Sequence, residues 1–315
     1  MKNVCFFRWT GGKYRVLNTL YSLFPDCEEY YEPFLGSGAV LINKYRTSKE
    51  VANDLDPELY TLHKVMADRE CMLELLRELN RIDERIGPGD KDDPVEQAER
   101  KRVFKEAKDV LAGYAGKDWT QLTKAEEIEI AKWKYVKTQL SFNGCGRNPS
   151  KTQGLGLDEW DFENICDRYQ GVEFRNGDGI HLMKEVKHNA NAFVFADPPY
   201  VQKLRGNKKI YRCEMPDEEQ RKMLETICDA KCRIMLCGYA EEEGSNLYDE
   251  YLFPCGWRRY QLAELVQSCE NVEQGGERKY GTEYIWVNYE LPACAKDYIS
   301  MESMRCAKTA KRINN

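Results

Sequence analysis

The sequence predicts an α/β fold: one sheet domain, discontinuous along the chain, with a mainly helical insertion. Three observations predict it. A strand, a glycine-bearing turn, a helix and a second strand follow one another within the first sixty residues, which makes a βαβ unit. Helix-forming residues then dominate 58–140, within an insertion that runs to roughly residue 160. Strand-like runs return near residue 172 and continue to residue 289.

Glu28 to Glu32 reads as the first strand, with Tyr30 and Tyr31 toward its end. Ala39-Val40-Leu41-Ile42 opens a helix directly after the turn, and Val51-Ala52 lies in a short second strand ending near Asp54. Met72-Leu73-Glu74-Leu75-Leu76-Arg77-Glu78-Leu79 is typical of the helical region, and Gly87-Pro88-Gly89 separates two helical stretches. Gly144, Gly146, Pro149, Gly154 and Gly156 mark a loop or hairpin. Later strands are expected at Val172-Glu173-Phe174, Ala192 to Ala196, Cys232 to Cys237 and Glu283 to Tyr289. The expected division is therefore a sheet domain over 1–60 and 161–291, a helical insertion over 61–160, and a polar tail over 292–315.

The 315 residues carry 47 Lys+Arg against 53 Asp+Glu, a net charge of −6. That argues against a wholly basic nucleic-acid binder but not against a local basic groove, which needs only clustered charge. Apolar runs such as Ile234 to Cys237 are far shorter than the ~20 residues of a membrane-spanning helix. The start, Met1 to Arg8, meets a charge too early for a signal peptide. Thirteen cysteines include no Cys-x-x-Cys pair. The densest group, Cys228, Cys232 and Cys237, lacks a fourth zinc ligand nearby, since His63, His181 and His188 lie elsewhere in the sequence. Buried thiols in a reducing cytoplasm, and no metal, are the expectation.

Three motifs carry chemistry. Asp197-Pro198-Pro199-Tyr200 follows the strand Ala192 to Ala196, and ligands of open α/β sheets bind at strand carboxyl ends. The prolines fix the backbone and remove two donors, leaving carbonyl oxygens to accept. Asp197 and the Pro198 carbonyl suit an exocyclic amino group on a flat heterocycle, with Tyr200 stacked on its ring. The alternative is a plain proline-rich turn. Glu32-Pro33-Phe34-Leu35-Gly36-Ser37-Gly38 lies between strand and helix, where glycines let backbone approach a ligand. Asp54, at the end of the second strand, stands where a ribose-binding carboxylate belongs, although a helix cap explains it equally well. Trp9-Thr10-Gly11-Gly12-Lys13 makes a loop able to close over an anionic or amino-acid-like group.

Together, in this order, the three motifs resemble the Dam-type (D12 class, α-group) DNA adenine-N6 methyltransferases. Phe142-Asn143-Gly144-Cys145-Gly146-Arg147 is similar to that family's F-N-G-x-x-R signature in a DNA-binding hairpin. Tyr211 is placed like the tyrosine after its mobile loop, and Thr282-Glu283-Tyr284 resembles a late T-E-x-L strand. The resemblance covers about residues 5–290. It implies a Rossmann-like S-adenosylmethionine-dependent methyltransferase sheet with an inserted, mainly helical target-recognition domain. It also implies a site-specific enzyme that methylates adenine N6 in double-stranded DNA by base flipping and direct in-line transfer. Asp197, Pro198, Pro199 and Tyr200 are then catalytic. S-adenosylmethionine would be held by Trp9, Gly11, Gly12, Lys13, Glu32, Pro33, Phe34, Gly36, Ser37, Gly38 and Asp54. Asp178 would lie near its adenine, and Asp197 near its sulfonium. Asn143, Arg147, Lys151, Lys203, Arg205 and Lys208 would contact DNA. The stretch 81–130 has no counterpart in the resemblance, and the segment after Arg147 departs from the family wording, so the target sequence stays open.

Local charge agrees with a DNA partner. Residues 131–153 hold Lys132, Lys134, Lys137, Arg147 and Lys151 with no acid. Residues 201–212 hold Lys203, Arg205, Lys208, Lys209 and Arg212 with no acid. Setting these ten charges aside leaves −16 on the rest, so the acidity belongs to the body of the protein. Rival readings are methylation of another planar amino group (cytosine N4, RNA adenine or a protein amide) and an inactive DNA-binding module of the same fold. A nicotinamide-dependent oxidoreductase lacks its G-x-G-x-x-G, because Ala39-Val40-Leu41 follows Gly38.

Overall fold

The computed structural model describes residues 3–88, 90, 92–150, 153–205, 211–240, 246–266 and 280–299. Along the chain come α1 (Leu17–Leu23), β1 (Glu29–Glu32), α2 (Ala39–Asn43), β2 (Lys49–Asp54), α3 (Pro57–Ala67), α4 (Arg69–Ile86), α5 (Pro94–Gly113) and α6 (Lys124–Gln139). Then follow α7 (Glu159–Tyr169), β3 (Val172–Asn176), α8 (Gly179–Val186), β4 (Ala192–Ala196), α9 (Asp217–Ile227), β5 (Arg233–Tyr239), α10 (Leu247–Leu252), β6 (Arg258–Val266) and β7 (Tyr280–Val287). The seven strands form one sheet in the order β3-β2-β1-β4-β5-β7-β6.

The sheet is mixed. β1 runs parallel to β2 and β4, and β4 runs parallel to β5. β7 is antiparallel to both β5 and β6. This is an α/β architecture, in which parallel strands give way to an antiparallel hairpin. Every residue of β4 is buried, as its unbroken Ala-Phe-Val-Phe-Ala run requires of a central strand. β6 was not anticipated from sequence: its opening Arg258-Arg259 and interspersed polar residues hide it, and its register against β7 shifts between Gln261 and Ala263.

Chain contacts divide the molecule into two units. The first comprises 1–14, 36–43 and 54–176, so it takes in short N-terminal pieces besides the helical region 61–160. Its helices begin at side-chain caps. Asp56 accepts from Glu58 N–H and Asp68 from Glu70 and Cys71 N–H. Asp93 caps α5 just before Pro94, and Thr123 with Glu126 forms a capping box on α6. The stretch 81–130, unmatched by resemblance, thus holds the end of α4, all of α5 and the start of α6. α4 buries Met72, Leu75, Leu79, Ile82 and Ile86 along one stripe. α6 buries residues around its whole circumference in its second half, including Lys134.

The second unit comprises 15–35, 44–53 and 177–315. Its core lies on the sheet and joins Tyr31, Val51, Val194, Ile234, Leu236 and Trp286 to Leu182 and Met183 of α8 and Met223 of α9. Among the described residues no helix is long and apolar enough to cross a membrane. Within the predicted tail, a short 3-10 helix spans Ala293–Asp297. Its remainder from residue 300, and Glu241 to Glu243, lie outside the described residues.

Candidate active site

In the first unit the glycine turn is forced by crowding. Gly36 has φ +54, and a Cβ there would stand 2.9 Å from the Trp9 indole nitrogen. Gly38 has φ +69, and a Cβ there would stand 2.7 Å from Tyr169 Oη. Only glycine fits both the conformation and the space. The Gly36 N–H donates to Asp54 Oδ2 at 2.9 Å, and Asp54 Oδ1 accepts from Asp56 N–H at 2.9 Å. Asp54 is therefore oriented by backbone donors and keeps further acceptor directions, as a ribose ligand needs. Burial and the neighbouring Asp56 push its pKa up to about 6.

Trp9 is half-buried and meets Phe7 edge-on at 5.8 Å. The Gly12 N–H closes a turn onto the Trp9 carbonyl at 3.1 Å, with Gly11 at φ +80. Lys13 is buried and donates to the Gly11 carbonyl at 3.1 Å, so it braces its own loop. Ser37 is also buried. His63 and Tyr169, neither singled out from sequence, lie directly beneath the turn. His63 Nε2 is 2.9 Å from the Gly36 carbonyl, and Nδ1 is 2.9 Å from Tyr169 Oη.

The F-N-G-x-x-R segment belongs to the same unit. Phe142 N–H bonds the Asn148 carbonyl at 2.9 Å and Ser150 N–H bonds the Leu140 carbonyl at 2.7 Å, which makes the expected hairpin-like turn. Asn143 takes φ +54 and is exposed, as is Phe142. Gly144, at φ +70, is obligatory because a Cβ would lie 2.3 Å from the Arg8 carbonyl oxygen. The Thr10 hydroxyl donates to the Asn143 carbonyl at 2.8 Å. This turn is thus seated on the backbone of the Trp9 segment. Arg147 is half-buried, and Lys151 lies outside the described residues.

The basic runs are less available than their count suggests. Lys134 is buried and bonds Asp56 at 2.6 Å, and Lys137 bonds Glu58 at 2.8 Å. Burial opposes the charge of Lys134, but Asp56 and Glu58 outweigh it and raise its pKa. Lys132 bonds Glu78 at 3.1 Å. These three lysines, read from sequence as part of a DNA-facing patch, are committed inside the unit. The sequence cannot show this, because the partner acids lie more than fifty residues away.

In the second unit, Glu32 ends β1 fully buried and accepts from the Tyr30 hydroxyl at 2.7 Å. The Asn53 amide donates to the carbonyls of Pro33 and Gly177, each at 2.9 Å, and so fixes the turn after β1. Gly179 lets α8 come close, since a Cβ would meet the Phe34 ring at 2.7 Å and the Pro33 carbonyl at 2.8 Å. Asp178 is exposed and caps α8 through the Ile180 N–H at 2.9 Å.

Asp197-Pro198-Pro199-Tyr200 leaves the carboxyl end of β4. The Tyr200 hydroxyl lies 2.9 Å from Asp197 Oδ1 and also meets Glu283 of β7. Burial, with Asp197 and Glu283 adding to it, pushes the phenol pKa well up, so it stays a neutral donor. Glu283 is 2 % exposed, and only the T-E-x pattern hinted at it. The Pro199 carbonyl accepts from Gln220 at 2.6 Å, and Gln220 is itself held by the Tyr248 hydroxyl at 2.7 Å. Among the described residues no donor reaches the Pro198 carbonyl. Tyr200 is only 8 % exposed, with Tyr239 edge-on at 4.7 Å. The ring face expected to stack on a base is therefore closed here, and stacking requires movement of this segment.

In the loop after the tetrapeptide, Lys203 is exposed. Arg205 is buried and paired with Glu214 at 2.5 Å, and Glu214 also accepts from the Tyr211 N–H at 2.8 Å. Arg205, expected at DNA, instead holds the base of this loop together. Lys208 and Lys209 lie outside the described residues.

The comparisons with known proteins bear on this arrangement. The family model for D12 class N6 adenine-specific DNA methyltransferases matches residues 9–145, from Trp9 through the F-N-G turn. The chain is 24% identical over 309 residues to the Type II methyltransferase M.MjaIII of Methanocaldococcus jannaschii, covering 90% of this chain and 98% of that one. It is 27% identical over 209 residues to the Type II methyltransferase M1.LlaDCHI of Lactococcus lactis subsp. cremoris, covering 62% of this chain and 65% of that one. The DNA adenine methylase of Escherichia coli K12 is 34% identical over 68 residues, 22% of this chain and 24% of that one. Over residues 9–145, which carry the glycine turn over Asp54, the chain is thus similar to the D12 class N6 adenine-specific DNA methyltransferases, and the Asp-Pro-Pro-Tyr segment at the end of β4 lies beyond that stretch.

Proposed function

We propose that this chain methylates N6 of adenine within one recognition sequence of double-stranded DNA, using S-adenosylmethionine. One observation supports the chemistry above others: Asp197 and the carbonyl of Pro198, two adjacent acceptors, follow directly on a fully buried strand, and among the described residues no donor reaches that carbonyl. Such a pair fits an exocyclic amino group and no anionic substrate. The amino lone pair of adenine is delocalised into its ring. Accepting its two hydrogens at Asp197 and Pro198 favours pyramidalisation and frees that lone pair as the nucleophile.

The residues present fit the cofactor. Gly36 and Gly38 bring the turn against Trp9 and Tyr169 with no side chain of their own, which leaves backbone to face a ligand, and Asp54 has acceptor directions left for ribose hydroxyls. Trp9, Gly36 to Gly38 and Asp54 would hold it, with Pro33 and Phe34, and Asp178 near its adenine. When bound, it supplies an activated methyl group on a sulfonium, so transfer needs orientation more than covalent catalysis. Tyr200 fixes the Asp197 carboxylate, and Glu283 fixes Tyr200. The target base must leave the duplex, at a cost of a few kcal/mol.

The helical region 61–160 is the target-recognition part of this reading. Asn143 and Arg147 are its candidates for base or phosphate contact, Lys203 for phosphate, and Lys151 and Lys208 complete the set. The compartment is the cytoplasm of a bacterial or phage-infected cell, where such DNA lies. The test is expression in a host without adenine methylation, followed by single-molecule sequencing of its genome. N6-methyladenine at one motif, lost in Asp197→Ala, is the expected result. No modification, or modified cytosine, refutes the assignment.

A further inference from the structure

The geometry points to His63 as a positioning residue for cofactor binding: it holds the Gly36 carbonyl while Asp54 holds the Gly36 N–H, pinning the two peptide planes on either side of the Gly36 Cα. This rests on the proposed use of the glycine turn for S-adenosylmethionine.

The hydrogen-bond roles follow from the partners. A carbonyl only accepts, so the contact from His63 Nε2 to the Gly36 carbonyl at 2.9 Å requires the proton on Nε2. Nδ1 of a neutral imidazole then accepts, and the Tyr169 hydroxyl donates to it at 2.9 Å. Tyr169 O–H, His63 and the Gly36 carbonyl thus form one directed chain, with a single tautomer locked by its ends. Both side chains are fully buried, at 0 % and 1 % exposure. Phe174 stacks on the imidazole at 5° between planes, which fixes its orientation. Burial depresses the His63 pKa to about 4, in keeping with a ring that must stay neutral to donate and accept at once.

Packing alone does not account for this arrangement. An aliphatic residue would fill the space without a polar cost, whereas this histidine is met at both nitrogens. Gly36, at φ +54, has no side chain to restrict its backbone, so the turn is held by bonds from outside it. The Gly36 N–H, in the Leu35–Gly36 peptide, is already held by Asp54 at 2.9 Å, so the His63 bond to its carbonyl fixes the following Gly36–Ser37 peptide and with it the turn about the Gly36 Cα. Tyr169 Oη also occupies the space a Cβ at Gly38 would need, which couples the same pair to the second glycine. Neither His63 nor Tyr169 touches the reacting atoms in this reading.

The experiment measures S-adenosylmethionine binding by calorimetry, with methylation kinetics on plasmid DNA, for wild type, His63→Leu, His63→Gln and Tyr169→Phe. Loss of a buried bond that leaves a carbonyl unsatisfied should weaken cofactor affinity by about tenfold in His63→Leu. The KM for S-adenosylmethionine should rise equally, while kcat at saturation and DNA affinity stay unchanged. His63→Gln, whose amide can reach the same carbonyl, should recover most of the loss. Tyr169→Phe, which frees the tautomer, should fall between them. Wild-type affinity in a folded His63→Leu, or equal losses in the leucine and glutamine variants, overturns the clamp. Should His63→Leu not fold, Tyr169→Phe decides, and wild-type affinity there overturns it. A wild-type protein that takes up no S-adenosylmethionine refutes the proposed function itself, and the inference with it, before any variant is compared.

Discussion

Tyr200→Phe separates two roles for one residue. The substitution keeps the ring that could stack on a base and removes only the hydroxyl. That hydroxyl lies 2.9 Å from Asp197 Oδ1 and also meets Glu283, which is 2 % exposed. A hydrogen bond to a charged group contributes about 1.5–3 kcal/mol. If the whole of it serves to orient Asp197 in the transition state, kcat falls by roughly 10- to 150-fold. The hydroxyl has one proton for both carboxylates, so whatever part of that ~1.5–3 kcal/mol does not orient Asp197 is lost at Glu283 as stability. The assay is single-turnover methylation of a saturating oligonucleotide duplex, alongside thermal unfolding of the same protein. A variant with wild-type kcat and lowered stability would show that the hydroxyl only holds the fold. A variant unchanged in both would refute the whole account of Tyr200.

Other outcomes can be read as directly. Gly144→Ala places a methyl group where the Arg8 carbonyl stands, 2.3 Å away, at a φ of +70, so DNA affinity should drop sharply, as a gel-shift series would record. Lys134→Met takes the buried cation from Asp56 and leaves Glu58 with Lys137, and chemical denaturation should report a loss of about 3–5 kcal/mol. Cofactor affinity should weaken as pH falls through about 6, because Asp54 must be ionised to accept ribose hydroxyls; calorimetry between pH 5 and 8 shows the trend, and Asp54→Asn should abolish it. The two shifts act oppositely on stability. His63, depressed to about 4, favours the folded state above its unfolded pKa and loses that contribution as pH falls toward 4. Asp54, raised to about 6, favours it below its unfolded pKa and loses that contribution as pH rises through 6. Melting temperatures should therefore fall more steeply below pH 6 in Asp54→Asn than in wild type.

Much of this was legible because short motifs impose backbone. Gly36 and Gly38 could be read as a turn since only glycine fits there, and Ala192 to Ala196 could be read as a central strand since its unbroken apolar run has no solvent face. What escaped reading depends on partners distant in sequence. Lys132, Lys134 and Lys137 count as a basic patch until Glu78, Asp56 and Glu58 are seen to hold them. Arg205 counts as a phosphate contact until Glu214 is seen beside it. His63 carries no motif at all, and its meaning comes from Gly36 on one side and Tyr169, 106 residues away, on the other. β6 stayed hidden because Arg259, buried against Asp249 and over the Tyr284 ring, looks in sequence like a solvent residue.

The burial of Phe6 and Phe7 sets a schedule for synthesis. Phe6 rests against Tyr135 and Phe162, at 5.8 Å from each ring. Those partners leave the ribosome only after more than a hundred further residues, roughly six to thirty seconds at ~5–20 residues per second. For that interval Phe6 lacks both of those rings, and a chaperone that favours short apolar segments has its natural target there. Codon choice that slows translation between α3 and α6 would lengthen that exposure, and soluble yield would drop with no change in the finished protein.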